Sequence, residues 1–196
     1  NTGDLGRSHL GHIVENNVLV ETLWQALQPL KNVSLHCPDK IRAVSNQEDS
    51  VTLTLQSGLE ISAGIAIGAD GARSKVRDLI GIETSVHDYA QKGLVAFVKT
   101  ELPHRHTAWQ RFLSTGPLAF LPFGEHVCSI VWTLPDDRAE ALLQADAEAF
   151  CRALDSAFAG TLGKTELVSE RAAFPLKRQL AKTMMQERTL LLGDAA

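Results

Sequence analysis

Two short stretches of this 196-residue sequence hold residue types that could do chemistry. The first is Gly-Ala-Asp-Gly-Ala-Arg-Ser-Lys-Val-Arg, Gly68–Arg77, which closes the apolar, β-branched run Gly64–Gly68. Such a run reads as a buried strand, and in open α/β sheets ligands bind beyond the carboxyl ends of the strands. Asp70 and Gly71 would stand at that end, Ser74 can cap a short helix, and Gly81 falls just past its close. Arg73, Lys75 and Arg77 bring cations to the helix start, where free N–H groups and the helix dipole already favour an anion. A pyrophosphate suits this pattern; so does an ordinary strand–turn–helix with solvated basic residues. The second stretch closes the sequence. Leu190–Leu192 meets Gly193-Asp194 and two alanines, a strand-to-helix turn whose aspartate could cap a helix or hold a ligand.

The surrounding pattern supplies elements to position both turns. Apolar residues at helical spacing predict a helix over Asn17–Leu30, ended by Pro29 and Lys31-Asn32. Val33–Leu35, Ile41–Val44 and Val51–Leu55 read as short strands, and SVTLTLQSGLEISA reads as a hairpin turning at Ser57-Gly58. From Lys92 the texture changes. LVAFVKTEL, AWQRFL, PLAFLPF and HVCSIVWTL are strands at hairpin spacing, an antiparallel sheet of their own. One helix is expected from Asp136 or Asp137, as cap, to Gly160, and an extended stretch Glu166–Leu176 precedes the last strand, Thr189–Leu192.

Composition narrows the class. Hydrophobic residues make up 44%, charged residues 21%, and the net charge is −4 with no basic run, which disfavours a nucleic-acid partner. No apolar stretch approaches the roughly 20 residues of a spanning helix, and the opening NTGDLGRSHL carries no signal-peptide pattern. Cys37, Cys128 and Cys151 are far apart and in no metal spacing, so they read as buried small hydrophobes in a reducing, cytoplasmic compartment. His104 and His106, beside Pro103, read as a solvated loop, and no metal site is expected.

The motif G-A-D-G-x-x-S-x-V-R and the closing G-D-A-A resemble the second and third fingerprints of the flavoprotein aromatic hydroxylases, the p-hydroxybenzoate-hydroxylase-like monooxygenases. LGHIVENNVL (Leu10–Leu19), GPLAFLPF and CSIVWTL are similar to the ubiquinone-biosynthesis branch, the 2-octaprenylphenol and 2-octaprenyl-6-methoxyphenol hydroxylases. The resemblance runs along nearly the whole sequence. It implies an α/β (α+β) fold: a partial FAD-binding Rossmann-like domain, residues 1–85 and 179–196, with an inserted antiparallel β-sheet substrate domain, 86–178. Members of the family begin with a βαβ unit carrying G-x-G-x-x-G and continue past G-D-A-A into further helices. The present sequence has no G-x-G-x-x-G, so it reads as an internal fragment, inactive by itself.

What the resemblance implies can be stated residue by residue. Asp194 would contact the ribityl or ribose hydroxyls of FAD, with Gly193 allowing close approach. Asp70, Gly71, Ser74 and Arg77 would serve FAD and the electron donor NAD(P)H, and Asn16 would lie near the flavin. Oxygen would pass from a C4a-hydroperoxyflavin to a phenol ring, at carbon 5, while the protein positions substrate and excludes water. Phe120, Leu121, Pro122 and Phe123 are candidates for the wall of the ring pocket, though apolar walls and plain core look alike in sequence. No residue stands out as a catalytic base. The implied partners are a prenylated phenol, other ubiquinone-biosynthesis proteins and a membrane surface touched peripherally. Two other readings stay open: a cofactor-free scaffold module of a biosynthetic complex, and a flavin halogenase or geranylgeranyl reductase on a related fold.

Overall fold

A computed structural model of the chain describes Gly6 and residues 9–196; residues 1–5, 7 and 8 of the opening stretch lie outside the described residues. In chain order the elements are α1 (Asn16–Leu27), β1 (Ile41–Asn46), β2 (Val51–Leu55), β3 (Glu60–Ala63), β4 (Ala66–Gly68) and α2 (Lys75–Leu79). Next come β5 (Thr84–Thr100), β6 (Trp109–Leu113), β7 (Gly116–Pro122), β8 (Val127–Pro135), α3 (Asp136–Gln144) and α4 (Ala147–Ala157). The chain closes with β9 (Thr165–Leu167), β10 (Ala172–Ala181), β11 (Met185–Gln186), β12 (Thr189–Leu191) and a 3-10 turn over Gly193–Ala195. Two compact units divide these residues, one of Asn1–Thr22 with Asp88–Leu176, the other of Leu23–His87 with Lys177–Ala196.

The first unit is built on a six-stranded sheet of order β10-β5-β8-β7-β6, with β9 also pairing to β5. Along β7 and β8 the even-numbered residues Leu118, Phe120, Ile130, Trp132 and Leu134 are buried, which follows from the two-residue period of a strand. They pack against Phe150, Leu154 and Phe158 on and after α4 to form the main core. Each such fully buried side chain contributes about 1.5–3 kcal/mol, so this face of the sheet holds the unit together. The helical stretch is two helices rather than one. The Asp146 carboxylate accepts the Ala149 N–H and starts α4, while Arg171 donates to the Leu142 and Ala145 carbonyls at 2.7 and 2.6 Å and closes α3. Neither Asp136 nor Asp137 is the cap: Pro135 occupies that position, and both aspartates lie in the first turn of α3, where the helix dipole favours them.

The second unit contains the antiparallel meander β1–β2–β3, in which Val51–Leu55 and Glu60–Ala63 make the expected hairpin. It also contains the sheet β11–β12–β4, where β12 runs parallel to β4 with Leu191 opposite Gly68. Helix α2 covers one face of that pair through Val76, with Ile80, Ile82 and Ala195 completing the small core.

Several expectations are corrected. Val33–Leu35 forms no strand; it is irregular chain between turns at 31–32 and 37–38, and among the described residues it pairs with no strand. His104 is buried rather than solvated, because its ring bridges a loop: Nε2 donates to the Gly124 carbonyl and Nδ1 accepts the His106 N–H at 3.1 Å. Cys128 and Cys151 are buried, with desolvation pushing the Cys128 thiol up to about 11, but Cys37 is exposed. β11 had no signal, being two residues long.

Candidate cofactor site

The parallel register of β4 and β12 sets the two motif turns side by side. Gly68 leads into Asp70-Gly71, Leu191 leads into Gly193-Asp194, and the Leu192 N–H donates to the Gly68 carbonyl at 2.9 Å. Gly68 is the close contact that permits this. A Cβ there would stand 2.9 Å from Cβ and Cγ1 of Val76 and 3.0 Å from Cδ2 of Leu191.

The turn after β4 is organised by its aspartate. Oδ1 of Asp70 accepts the Ser74 hydroxyl at 2.5 Å, and Oδ2 accepts the N–H groups of Lys75 and Val76 at 2.7 and 3.1 Å. Ser74, fully buried, caps α2 by accepting the Arg77 N–H at 3.0 Å. Both side chains are therefore committed to the start of the helix. Burial works against the Asp70 charge, but the hydrogen bonds from Ser74, Val76 and Lys75 outweigh it and hold the carboxyl below its ordinary value of 3.8. A carboxylate so depressed contributes stability that is fully present above its unfolded value and is lost as pH falls through the folded one. Asp70→Asn should cost about 1 kcal/mol at neutral pH, a modest figure because the turn is exposed. Urea unfolding from pH 7 down to 2 should show the gap between wild type and variant closing below pH 3.8. A gap that persists unchanged in acid would mean the carboxylate charge contributes nothing.

Arg77 is engaged within the protein. Its guanidinium is buried, donating to the carbonyls of Ala195 at 3.1 Å and Ala72 at 3.0 Å. One side chain thus ties the Asp70 turn to the Gly193–Ala195 turn, and Gln179 adds a second donor to Ala72 at 2.9 Å. Gln179 escaped the sequence reading because nothing local marks a residue 107 positions from its partner.

Asp194 contrasts with Asp70. It is exposed, and among the described residues its carboxylate has no hydrogen-bond or ion-pair partner. Gly193 takes φ +61° and Gly71 φ +84°, and a Cβ on either would meet nothing within 4 Å. Two backbone turns that only glycine adopts easily, open above, with one uncommitted carboxylate, make a cradle for a ligand carrying hydroxyl groups.

The remaining candidates lie in the first unit. Asn16 begins α1 and borders a cleft of about 590 Å³ lined by Phe97, Phe123, Val127, Ser129 and Val168 among others. Strand parity divides the four ring-pocket candidates. Phe120 is in the core, its ring centroid 4.2 Å from that of Phe158, and Pro122 shares that side of β7. Leu121 pairs with Ser129, which pairs with Phe97, so Leu121 stands on the opposite face, and Phe123 reaches the cleft. Phe97 is the cleft residue that sequence reasoning missed; its odd position in β5 was the available signal.

The chain belongs to the FAD binding domain family, whose pattern it matches over residues 12–196. Among its relatives, the ubiquinone hydroxylase UbiL of Rhodospirillum rubrum is 35% identical over 187 residues, covering 95% of this chain and 44% of that protein. The 3-demethoxyubiquinol 3-hydroxylase of Escherichia coli is 36% identical, covering 95% of this chain and 48% of that protein. The chain thus spans about half the length of the curated relatives it matches. In fold it resembles a probable FAD-dependent monooxygenase from Pseudomonas aeruginosa, with TM-score 0.74 and 22% identity over 90% of this chain and 51% of that one. A flavin-dependent halogenase superposes with TM-score 0.72 at 17% identity, over 93% of this chain and 35% of that one.

Proposed function

We propose that the full-length protein is an FAD-dependent monooxygenase that hydroxylates the ring of a prenylated phenol in ubiquinone biosynthesis, with NAD(P)H as electron donor. The observation that carries the reading is the pair of open glycine turns tied together by Arg77, with Asp194 uncommitted between solvent and backbone. Relatives named as ubiquinone hydroxylases favour it over the halogenase and reductase readings. For the ring position the sequence resemblance points to carbon 5, and the regiochemistry of the isolated product tests that.

In this reading residues 1–85 and 179–196 belong to the flavin-binding domain and 86–178 to the substrate domain. Asp194 accepts ribityl or ribose hydroxyls, and Gly71 and Gly193 let the backbone approach the cofactor. Asp70, Ser74 and Arg77 hold the two turns in register. Asn16 borders the flavin from the start of α1. FAD supplies the oxygen-activating chemistry when bound. Leu121, Phe123 and Phe97 line the ring pocket and exclude water, which favours attack of the ring over loss of the oxidant to solvent. Partners beyond the substrate are other ubiquinone-biosynthesis proteins, with peripheral contact to a membrane; among the described residues no helix is long and apolar enough to cross one.

Asp194→Ala in the full-length protein should weaken FAD about tenfold, the loss of one charge-assisted hydrogen bond at an exposed site. Flavin-fluorescence titration measures it. Unchanged affinity would remove Asp194 from the site and return it to a helix-capping role.

A further inference from the structure

We infer that the face of the six-stranded sheet turned away from α3 and α4 carries the isoprenoid tail of the substrate, along a track from the Phe97–Phe123 cleft to Phe112 on the edge strand. The inference rests on the prenylphenol reading above.

Register places the track. Residues directly opposed on antiparallel strands share a face. The row Phe97–Ser129–Leu121 is followed by Val95–Val131–Ala119–Gln110 and then by Pro117–Phe112 with Thr133, two residues beyond Val131 on β8, each row drawn from the same side of β5, β8, β7 or β6. Their neighbours in the strands, at the even positions of β7 and β8, are the ones buried under the helices. Arg111 confirms the side: its guanidinium donates to the Ala157 carbonyl at the end of α4, so Phe112, the next residue, points the other way.

This face differs from the core face in two respects. The row residues on β5, β7 and β8 are half-buried, Gln110 on β6 is exposed, and Phe112 is 80% exposed, an unusual position for a phenylalanine on a sheet. None of the side chains in the three rows is charged. From β5 to β6 is three strand spacings, about 14 Å, starting at a cleft with room for a ring. The three rows offer no charge to pair with an ionised ligand, and their polar side chains, Gln110, Ser129 and Thr133, are neutral. An uncharged hydrocarbon needs only apolar area, and small residues at Ala119 and Pro117 leave a shallow path between the aromatics at its ends. One occupant fits: a polyisoprenyl chain whose phenol head sits at the cleft.

The test uses the full-length holoenzyme with phenols carrying one isoprene unit or several, in the same detergent. The reading is the ratio of kcat/KM for the long-tailed over the short-tailed phenol. Phe112→Ser should lower that ratio about fivefold, since it removes one aromatic contact from the tail alone. Ala119→Glu, which puts a charge in mid-track, should lower it further. Phe112 is too exposed for its loss to disturb the core, and melting curves check both variants. A ratio that stays at the wild-type value in both, whether or not overall activity falls, overturns the track. Wild-type enzyme that hydroxylates neither phenol overturns the hydroxylase reading itself, and the track with it.

Discussion

Arg77→Ala should lower the stability of the full-length protein and its affinity for FAD together. Arg77 is 6% exposed, and its guanidinium donates to two backbone carbonyls on different turns. Removing it leaves the Ala195 carbonyl without that donor in a small core, while Ala72 keeps Gln179. Hydrogen bonds to a charged group contribute about 1.5–3 kcal/mol each, so a loss of about 3 kcal/mol is expected. FAD should weaken because the Gly193–Ala195 turn loses its tether. Arg77→Lys keeps the charge but not the two-armed fork, so it should recover part of the stability and little of the flavin affinity. Thermal unfolding with and without FAD, alongside flavin titration, measures both. Lost flavin binding with unchanged unfolding would mean Arg77 contacts the cofactor directly, as the sequence motif had suggested.

Gly68→Ala should be the second severe change, although it adds a single methyl group. The new Cβ would press on Val76 and Leu191 at 2.9–3.0 Å, and the Val76 contact includes its Cβ, which is fixed to the backbone. Overpacking of this kind costs about 1–3 kcal/mol. The strain should fall on the contact between α2 and the β4–β12 pair, and so on both turns. The companion change Val76→Ala should restore part of the loss by making room. Urea midpoints for the two single variants and the double variant give the coupling. Strictly additive effects would contradict the close packing.

These two residues show what could be read from sequence. The Asp-Gly turn, the Ser74 cap and the hairpin Val51–Ala63 were legible because their signals are local: turn chemistry, capping distance and two-residue alternation. The four strands of the large sheet were legible for the same reason. The partition of PLAFLPF was not. A strand apolar on both faces has no contrast to read, and only its pairing with β8 and the position of α4 send Phe120 inward and Leu121 outward. The break between α3 and α4 was hidden because its cause, Arg171, lies 26 residues beyond Ala145. Arg77 stood out as a residue of the motif, but its partner at Ala195 lies 118 residues away, and no local pattern separates a buried clamp from a phosphate ligand.

The most direct test of the account is isotopic. The full-length protein, purified with its flavin and given NAD(P)H and a prenylated phenol under ¹⁸O₂, should yield a product carrying one added oxygen, labelled from the gas. The product's added oxygen should be absent when the flavin is removed and should return when FAD is restored. A phenol recovered unchanged by flavin-loaded protein, or an oxygen that comes from water instead of from O₂, would contradict the account.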